Sequence, residues 1–104
     1  MKELHSLADL DQALALKGRV LLYKHSTQCG ICDGAIAELE KHPGAGDFHY
    51  LDLLEHRDVS NAIAQRLGVK HESPQAIFLH DGKVVAVLNH RAIRLPAIDE
   101  ALAL

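Results

Sequence analysis

The stretch of sequence that decides the fold is Tyr23-Lys24-His25-Ser26-Thr27-Gln28-Cys29-Gly30-Ile31-Cys32-Asp33-Gly34. It contains both cysteines of the chain, with two residues between them. The apolar run Val20-Leu21-Leu22-Tyr23 leads into this stretch and favours an inner strand, and the segment Ala35-Ile36-Ala37-Glu38-Leu39 that follows the stretch favours a helix. A Cys-x-x-Cys pair at such a strand-to-helix junction is typical of a thiol redox site.

Length and composition indicate a single soluble domain without a nucleic-acid or membrane surface. The 104 residues suffice for one core, so we predict a single domain over residues 1–104. The 11 basic and 14 acidic residues form no run of like charge that would attract nucleic acid or anionic lipid. The sequence lacks a signal-peptide pattern and any long apolar segment, so we expect a cytoplasmic protein, in which a cysteine pair is more often catalytic or metal-binding than structural.

The hydrophobic pattern alternates between helix and strand and then changes. It predicts helices over residues 6–16, 29–41, 58 or 60–67 and 95–104, and strands over 19–24, 48–54, 76–80 and 83–88. The first two strands should be parallel because helices connect them, whereas Asp81-Gly82 predicts an antiparallel hairpin between the last two. This order predicts a thioredoxin-like α/β fold with a central mixed four-stranded sheet flanked by helices.

The two cysteines should differ in reactivity. Cys29 would lie at the helix N-terminus, where unpaired N–H groups and the helix dipole stabilise a thiolate, so we predict that it is the nucleophile. Cys32, one turn further in, could resolve a mixed disulfide on Cys29. Lys24 and His25 either add positive charge near the thiols or face solvent at the end of the strand.

A proline precedes the first hairpin strand. Its place opposite the cysteine loop favours a cis Ser73–Pro74 bond, although a trans Ser-Pro turn is the alternative. The Ser73 backbone would then be available to pair with an extended substrate next to Cys29. Asp52, on the second strand, is a candidate for a buried carboxylate beneath the thiols.

Zinc binding and unrelated buried thiols are the alternatives for the cysteine pair. A structural zinc site needs four protein ligands, and no second Cys-x-x-Cys or His-x-x-x-His follows at a suitable spacing. A histidine from elsewhere, such as His25, could still complete a site. The sequence favours a redox function for the cysteine pair, and we predict no bound metal.

Several blocks of the sequence also carry a family resemblance. They are Lys24-His25-Ser26-Thr27-Gln28-Cys29, Ser60-Asn61-Ala62-Ile63-Ala64, Leu67-Gly68-Val69-Lys70-His71-Glu72-Ser73-Pro74-Gln75 and Asp81-Gly82-Lys83-Val84. Together they resemble the monothiol bacilliredoxin family of the bacillithiol system. The resemblance implies a cytoplasmic thioredoxin-fold protein that removes bacillithiol from S-bacillithiolated proteins.

The resemblance also implies which residues act. Cys29 would be the attacking thiol, and we predict in addition that His25, Thr27, Ser73 and Pro74 bind the substrate. No cofactor is implied, because bacillithiol or a similar low-molecular-weight thiol is a co-substrate.

The chain departs from the family pattern at two places. Family members usually read Cys-Pro-Ile-Ser where this chain has Cys29-Gly30-Ile31-Cys32, so a single-cysteine mechanism is not forced. They also tend to carry His-Trp where this chain has His90-Arg91.

We therefore predict a bacilliredoxin-type thiol–disulfide oxidoreductase. Cys29 would reduce mixed disulfides between cytoplasmic proteins and a low-molecular-weight thiol, and Cys32 or free thiol would regenerate it. One alternative is a general dithiol reductase of protein disulfides. Another is a non-catalytic binding module whose cysteines are structural or bind zinc.

Overall fold

The computed structural model describes all 104 residues. Five strands and four helices follow one another along the chain: β1 (Lys2–Glu3), α1 (Leu7–Ala15), β2 (Arg19–His25), α2 (Gly30–Glu40), β3 (His49–Asp52), α3 (Arg57–Leu67), β4 (Gln75–His80), β5 (Lys83–Asn89) and α4 (Leu95–Leu102). Two 3₁₀ turns, Ala45–Asp47 and His90–Ala92, precede β3 and α4 respectively. No helix has the length and apolar character needed to span a membrane.

The sheet has five strands in the order β1-β3-β2-β4-β5, so the predicted count of four is wrong. β3 is parallel to β1 and β2, whereas β4 is antiparallel to β2 and β5. The predicted parallel pair and hairpin are therefore confirmed. The extra strand, β1, has only two residues, which is too short for a periodic pattern. The Lys2 amide donates to the Phe48 carbonyl (2.8 Å) and the Leu4 amide to the Tyr50 carbonyl (2.8 Å), and these bonds add the strand.

The central strand β2 is covered on both faces, which explains its unbroken apolar run. Leu22 belongs to a core cluster that includes Leu10 of α1 and Ile63 of α3. Tyr23, the next residue, belongs to a second cluster with Leu39 of α2. Alternate residues of β2 thus point to opposite layers of helices. This alternation decides which side chains at the end of the strand reach α2.

Capping residues in the sequence predicted most helix ends correctly. The Ser6 side chain caps α1 by accepting a hydrogen bond from the Asp9 amide (3.1 Å). Gly68 ends α3 in the left-handed conformation, with φ of 64°, as predicted. The helix α3 begins at Arg57, one residue before the earlier of the two predicted starts. The strand β3 is shorter than predicted because a 3₁₀ turn ends at Asp47 and the chain turns again after Asp52.

Candidate active site

Cys29 is the N-cap residue of α2, directly after the turn that follows β2. Its backbone is extended (φ −131°, ψ 117°), and its thiol is partly exposed. The pKa of this thiol is lowered, first by hydrogen bonding from the Cys32 thiol and then by the backbone amides of Cys32 and Ile31. The first turn of a helix has amides without helical partners, and here they favour a thiolate.

Cys32 lies in the same helical turn but is inaccessible to solvent. Its Sγ is 3.5 Å from Ser73 Oγ. Burial raises the pKa of the Cys32 thiol, and this effect outweighs the hydrogen bonds that favour its thiolate. The site therefore contains one accessible thiol that ionises easily and one buried thiol that does not.

Ser73 and Pro74 approach the thiols from the start of β4. The Ser73–Pro74 peptide bond is cis, and the Pro74 carbonyl accepts a hydrogen bond from the His90 amide (2.9 Å). The N–H and C=O of Ser73 take part in no hydrogen bond within the chain. An extended segment of another molecule could therefore pair with them beside the thiols.

His25 is buried at the end of β2, so a solvent-facing position for this residue is wrong. Its Nδ1 is 2.9 Å from the hydroxyl of Tyr23, which is also 3.3 Å from the Cys32 carbonyl. The His25 ring lies 5.4 Å from the ring of Tyr50, centroid to centroid. Burial lowers the pKa of His25, so the imidazole is neutral near pH 7 and adds no positive charge to the site.

Sequence reasoning missed Tyr23 as a site residue. Its hydroxyl is the buried polar group that connects His25 to the backbone of Cys32, and burial strongly raises its pKa. The only signal for it was its position two residues before His25 on one strand, which places both side chains on one face. Asp52, the predicted carboxylate, is only half-buried and accepts a hydrogen bond from the Leu54 amide (3.0 Å) instead.

Lys24 points to the opposite layer of helices, so neither of the predicted roles for this residue is correct. Its side chain has no solvent exposure. The ammonium donates to the Ser60 carbonyl (3.1 Å) and lies 3.2 Å from His71 Nδ1. Burial lowers the pKa of Lys24 to about 8. It thus connects β2 to α3 and to the loop before Ser73, away from the thiols.

Thr27 lies in the exposed turn that leads from β2 to Cys29. The Thr27 side chain forms no hydrogen bond, either with a thiol or with any other group of the chain. Thr27 precedes Cys29 by two residues in the sequence, whereas Ser73 Oγ lies within hydrogen-bond distance of the buried Cys32 thiol. No cluster of three or more His, Cys, Asp or Glu side chains is arranged to hold a metal ion.

A groove of about 760 Å³ begins next to Cys29, between α2 and the segment that leads from β5 into α4. Its lining begins at Gly30 and Ile31 and ends at Lys41 on the α2 side. The opposite wall carries Arg91 and Arg94. Its volume is in the range of small-molecule sites.

Comparison with protein families and solved structures identifies proteins that are similar to this chain. The family model of monothiol bacilliredoxin BrxC matches residues 2–98. A solved thioredoxin-fold protein, provisionally described as an oxidoreductase, is 31% identical, with a TM-score of 0.89 over 96% of this chain and 91% of that chain.

Thioredoxins share the fold at lower identity. Mitochondrial thioredoxin 3 from Saccharomyces cerevisiae, in its oxidised form, is 19% identical, with a TM-score of 0.76 over 99% of this chain and 93% of its own. Fasciola hepatica thioredoxin is also 19% identical, with a TM-score of 0.75 over 99% of this chain and 97% of its own. These two likenesses confirm the predicted fold class.

Proposed function

Because the chain belongs to the monothiol bacilliredoxin family and is a thiol–disulfide oxidoreductase, we propose that it reduces mixed disulfides between proteins and bacillithiol. The observation that carries this proposal is the inequality of the two thiols. Cys29 is accessible and has a lowered pKa, whereas Cys32 is buried and has a raised pKa. A site with one ready nucleophile suits attack on a mixed disulfide.

In the first step, the Cys29 thiolate attacks the bacillithiol sulfur of the mixed disulfide. A disulfide forms between Cys29 and bacillithiol, the original bond breaks, and the substrate protein leaves as a thiolate that takes a proton from solvent. No net oxidation occurs, because one disulfide replaces another. The partial exposure of Cys29 gives the incoming sulfur access, and the amides of α2 stabilise the thiolate before attack.

In the second step, a thiol must release bacillithiol from Cys29. Cys32 is a neighbour in the same helical turn and could attack Cys29, which would leave an internal disulfide and free bacillithiol. Its raised pKa slows this route near neutral pH, because the thiolate is the attacking form. Alternatively, the thiolate of a second bacillithiol molecule could attack the bacillithiol sulfur of the adduct, which would form bacillithiol disulfide and release the Cys29 thiolate.

The protein part of the substrate would lie along Ser73. The unpaired N–H and C=O of this residue can form strand-like hydrogen bonds to an extended segment. Such backbone pairing does not depend on the identity of the substrate's side chains. It therefore suits an enzyme that acts on many S-thiolated proteins.

Substitution of each cysteine tests the proposal. Cys29→Ser should abolish the release of bacillithiol from an S-bacillithiolated protein, and a variant that keeps full activity would refute the assignment. Cys32→Ser should retain the first step. It should accumulate the Cys29–bacillithiol disulfide if Cys32 resolves it, and turn over normally with excess bacillithiol if free thiol does.

A general dithiol reductase is a second candidate, since Cys32 places a second thiol in the site. The two functions predict different substrate preferences. Faster reduction of a bacillithiol mixed disulfide than of a protein disulfide supports the bacilliredoxin function. The opposite order supports the dithiol reductase. A non-catalytic binding module is inconsistent with a chain that is a thiol–disulfide oxidoreductase.

A further inference from the structure

The groove lies along α2, the helix whose N-cap residue is Cys29. Gly30 and Ile31, the two residues after Cys29, form its near end, and Lys41 lies at its far end. These residues are on one helix, and an α-helix rises about 1.5 Å per residue, so the groove extends roughly 15 Å along α2 from the residue after Cys29. A small thiol compound of several linked units could occupy that length.

The groove carries positive charge although the chain is acidic overall. Three of its side chains are basic, Lys41, Arg91 and Arg94, and one is acidic, Glu38. The whole chain has a formal charge of −3. This local excess of positive charge would attract an anion to a molecule that otherwise repels it.

Glu38 already engages two of the three basic groups. It accepts a hydrogen bond from Arg94 Nε (2.9 Å) and forms an ion pair with Lys41. It also accepts from the Leu95 amide (3.2 Å), which fixes its position. These contacts lower the pKa of Glu38 to about 2, so the carboxylate stays ionised and holds both cations at neutral pH.

Arg91 is the basic group without a partner. It is exposed on the groove wall and forms no hydrogen bond or salt bridge within the chain. A guanidinium binds a carboxylate through two parallel hydrogen bonds. Arg91 is therefore free to bind a carboxylate on a ligand, and Arg94 and Lys41 add a favourable field.

The groove floor leaves room for such a ligand. Its α2 side is formed largely by small residues, among them Gly30, Gly34 and Ala37. A side-chain carbon added at Gly30 or Gly34 would meet no atom within 4 Å. A ligand can therefore lie close to the helix without displacing a side chain.

We propose that this groove binds the carboxylate-bearing part of a low-molecular-weight thiol whose sulfur is bonded to Cys29, with Arg91 as the main contact. Bacillithiol, which carries a dicarboxylate malyl group, is a thiol of this class. The inference rests on the proposed function, because it assigns the groove to the non-protein half of the mixed disulfide. It makes Arg91 a specificity-determining residue.

The test compares two mixed disulfides of one carrier protein. The carrier is thiolated either with bacillithiol or with uncharged 2-mercaptoethanol, and release of each thiol is followed in single turnovers with excess enzyme. Arg91→Gln should lower the ratio of the bacillithiol rate constant to the 2-mercaptoethanol rate constant about two- to fivefold, as expected for one partly solvated ion pair. Arg91→Lys should recover part of that ratio.

Lys17→Gln is the matched control, because it removes the same charge from an exposed residue at the opposite end of β2. It should keep the wild-type ratio. An Arg91→Gln variant with an unchanged ratio, or a Lys17→Gln variant with an equal fall, would overturn the inference while leaving the proposed function intact. Failure of the wild-type protein to release either thiol would overturn the proposed function and this inference with it.

Discussion

Replacement of Lys24 by methionine should change how the stability of the protein depends on pH. The ammonium is fully buried against the Ser60 carbonyl and the His71 ring, and no carboxylate forms an ion pair with it. Burial disfavours the charged form and lowers the pKa of Lys24 from 10.5 to about 8. The folded protein therefore loses stability whenever this group must carry a proton.

The size of this effect follows from the shift. A fall from 10.5 to about 8 corresponds to about 3 kcal/mol, at about 1.4 kcal/mol for each pKa unit. Below the folded pKa the full penalty applies, because both states are protonated. Between the two values the unfolded chain binds the proton and the folded chain does not. The free energy of unfolding therefore rises with pH in that window, and the penalty is gone above 10.5.

The assay is urea unfolding of reduced protein at several values from pH 7 to pH 10. Cysteine and tyrosine groups also titrate there, so the informative quantity is the difference between wild-type and Lys24→Met. The free energy of unfolding of the wild-type, relative to that of Lys24→Met, should rise by about 2 kcal/mol from pH 7 to pH 10. Lys17→Met, at an exposed lysine, should show the wild-type pH dependence. A difference for Lys24→Met that is constant with pH would refute the reasoning.

Four further substitutions test the thiol pair and the helix ends. Cys32→Ala should raise the pKa of Cys29 and slow its alkylation near pH 7, because it removes the hydrogen bond from the Cys32 thiol. Cys32→Ser should retain the low pKa, because its hydroxyl can still donate. Equal alkylation rates for the two variants would contradict a role for this hydrogen bond. Gly30→Pro should raise the free energy of unfolding by about 0.5–1 kcal/mol in urea melts, because proline suits the first helical position and the extended backbone of Cys29 suits the residue before proline. Gly68→Ala should lower it by about 1 kcal/mol, since φ is 64° there, and an unchanged midpoint would be inconsistent with that backbone.

Features with local causes were predictable from the sequence. Asp81-Gly82 predicted the hairpin turn, and both residues have positive φ, as such a turn requires. Gly68 predicted the end of α3 because few other residues adopt its conformation. The Cys-x-x-Cys spacing located the helix start at Cys29. Each of these signals depends on only a few neighbouring residues.

Features that depend on distant residues were not predictable in this way. Which of the two helix layers Lys24 or His25 contacts depends on the register of β2 between β3 and β4. No local sequence pattern predicts that register. The hydrogen bond between Tyr23 and His25 is local to one strand, but the contact of the Tyr23 hydroxyl with the Cys32 carbonyl depends on how α2 packs on that face. The groove lies between α2 and the β5–α4 connection, whose Arg94 donates a hydrogen bond to Glu38, 56 residues earlier in the chain.

Intact-mass analysis of Cys32→Ser protein tests the central claim most directly. The reduced variant is mixed with an S-bacillithiolated protein, quenched with acid and then digested to locate any adduct. We predict one bacillithiol on Cys29 and a fully reduced substrate protein. A disulfide between Cys29 and the substrate protein, or an unmodified Cys29 with the substrate still bacillithiolated, would contradict the claim.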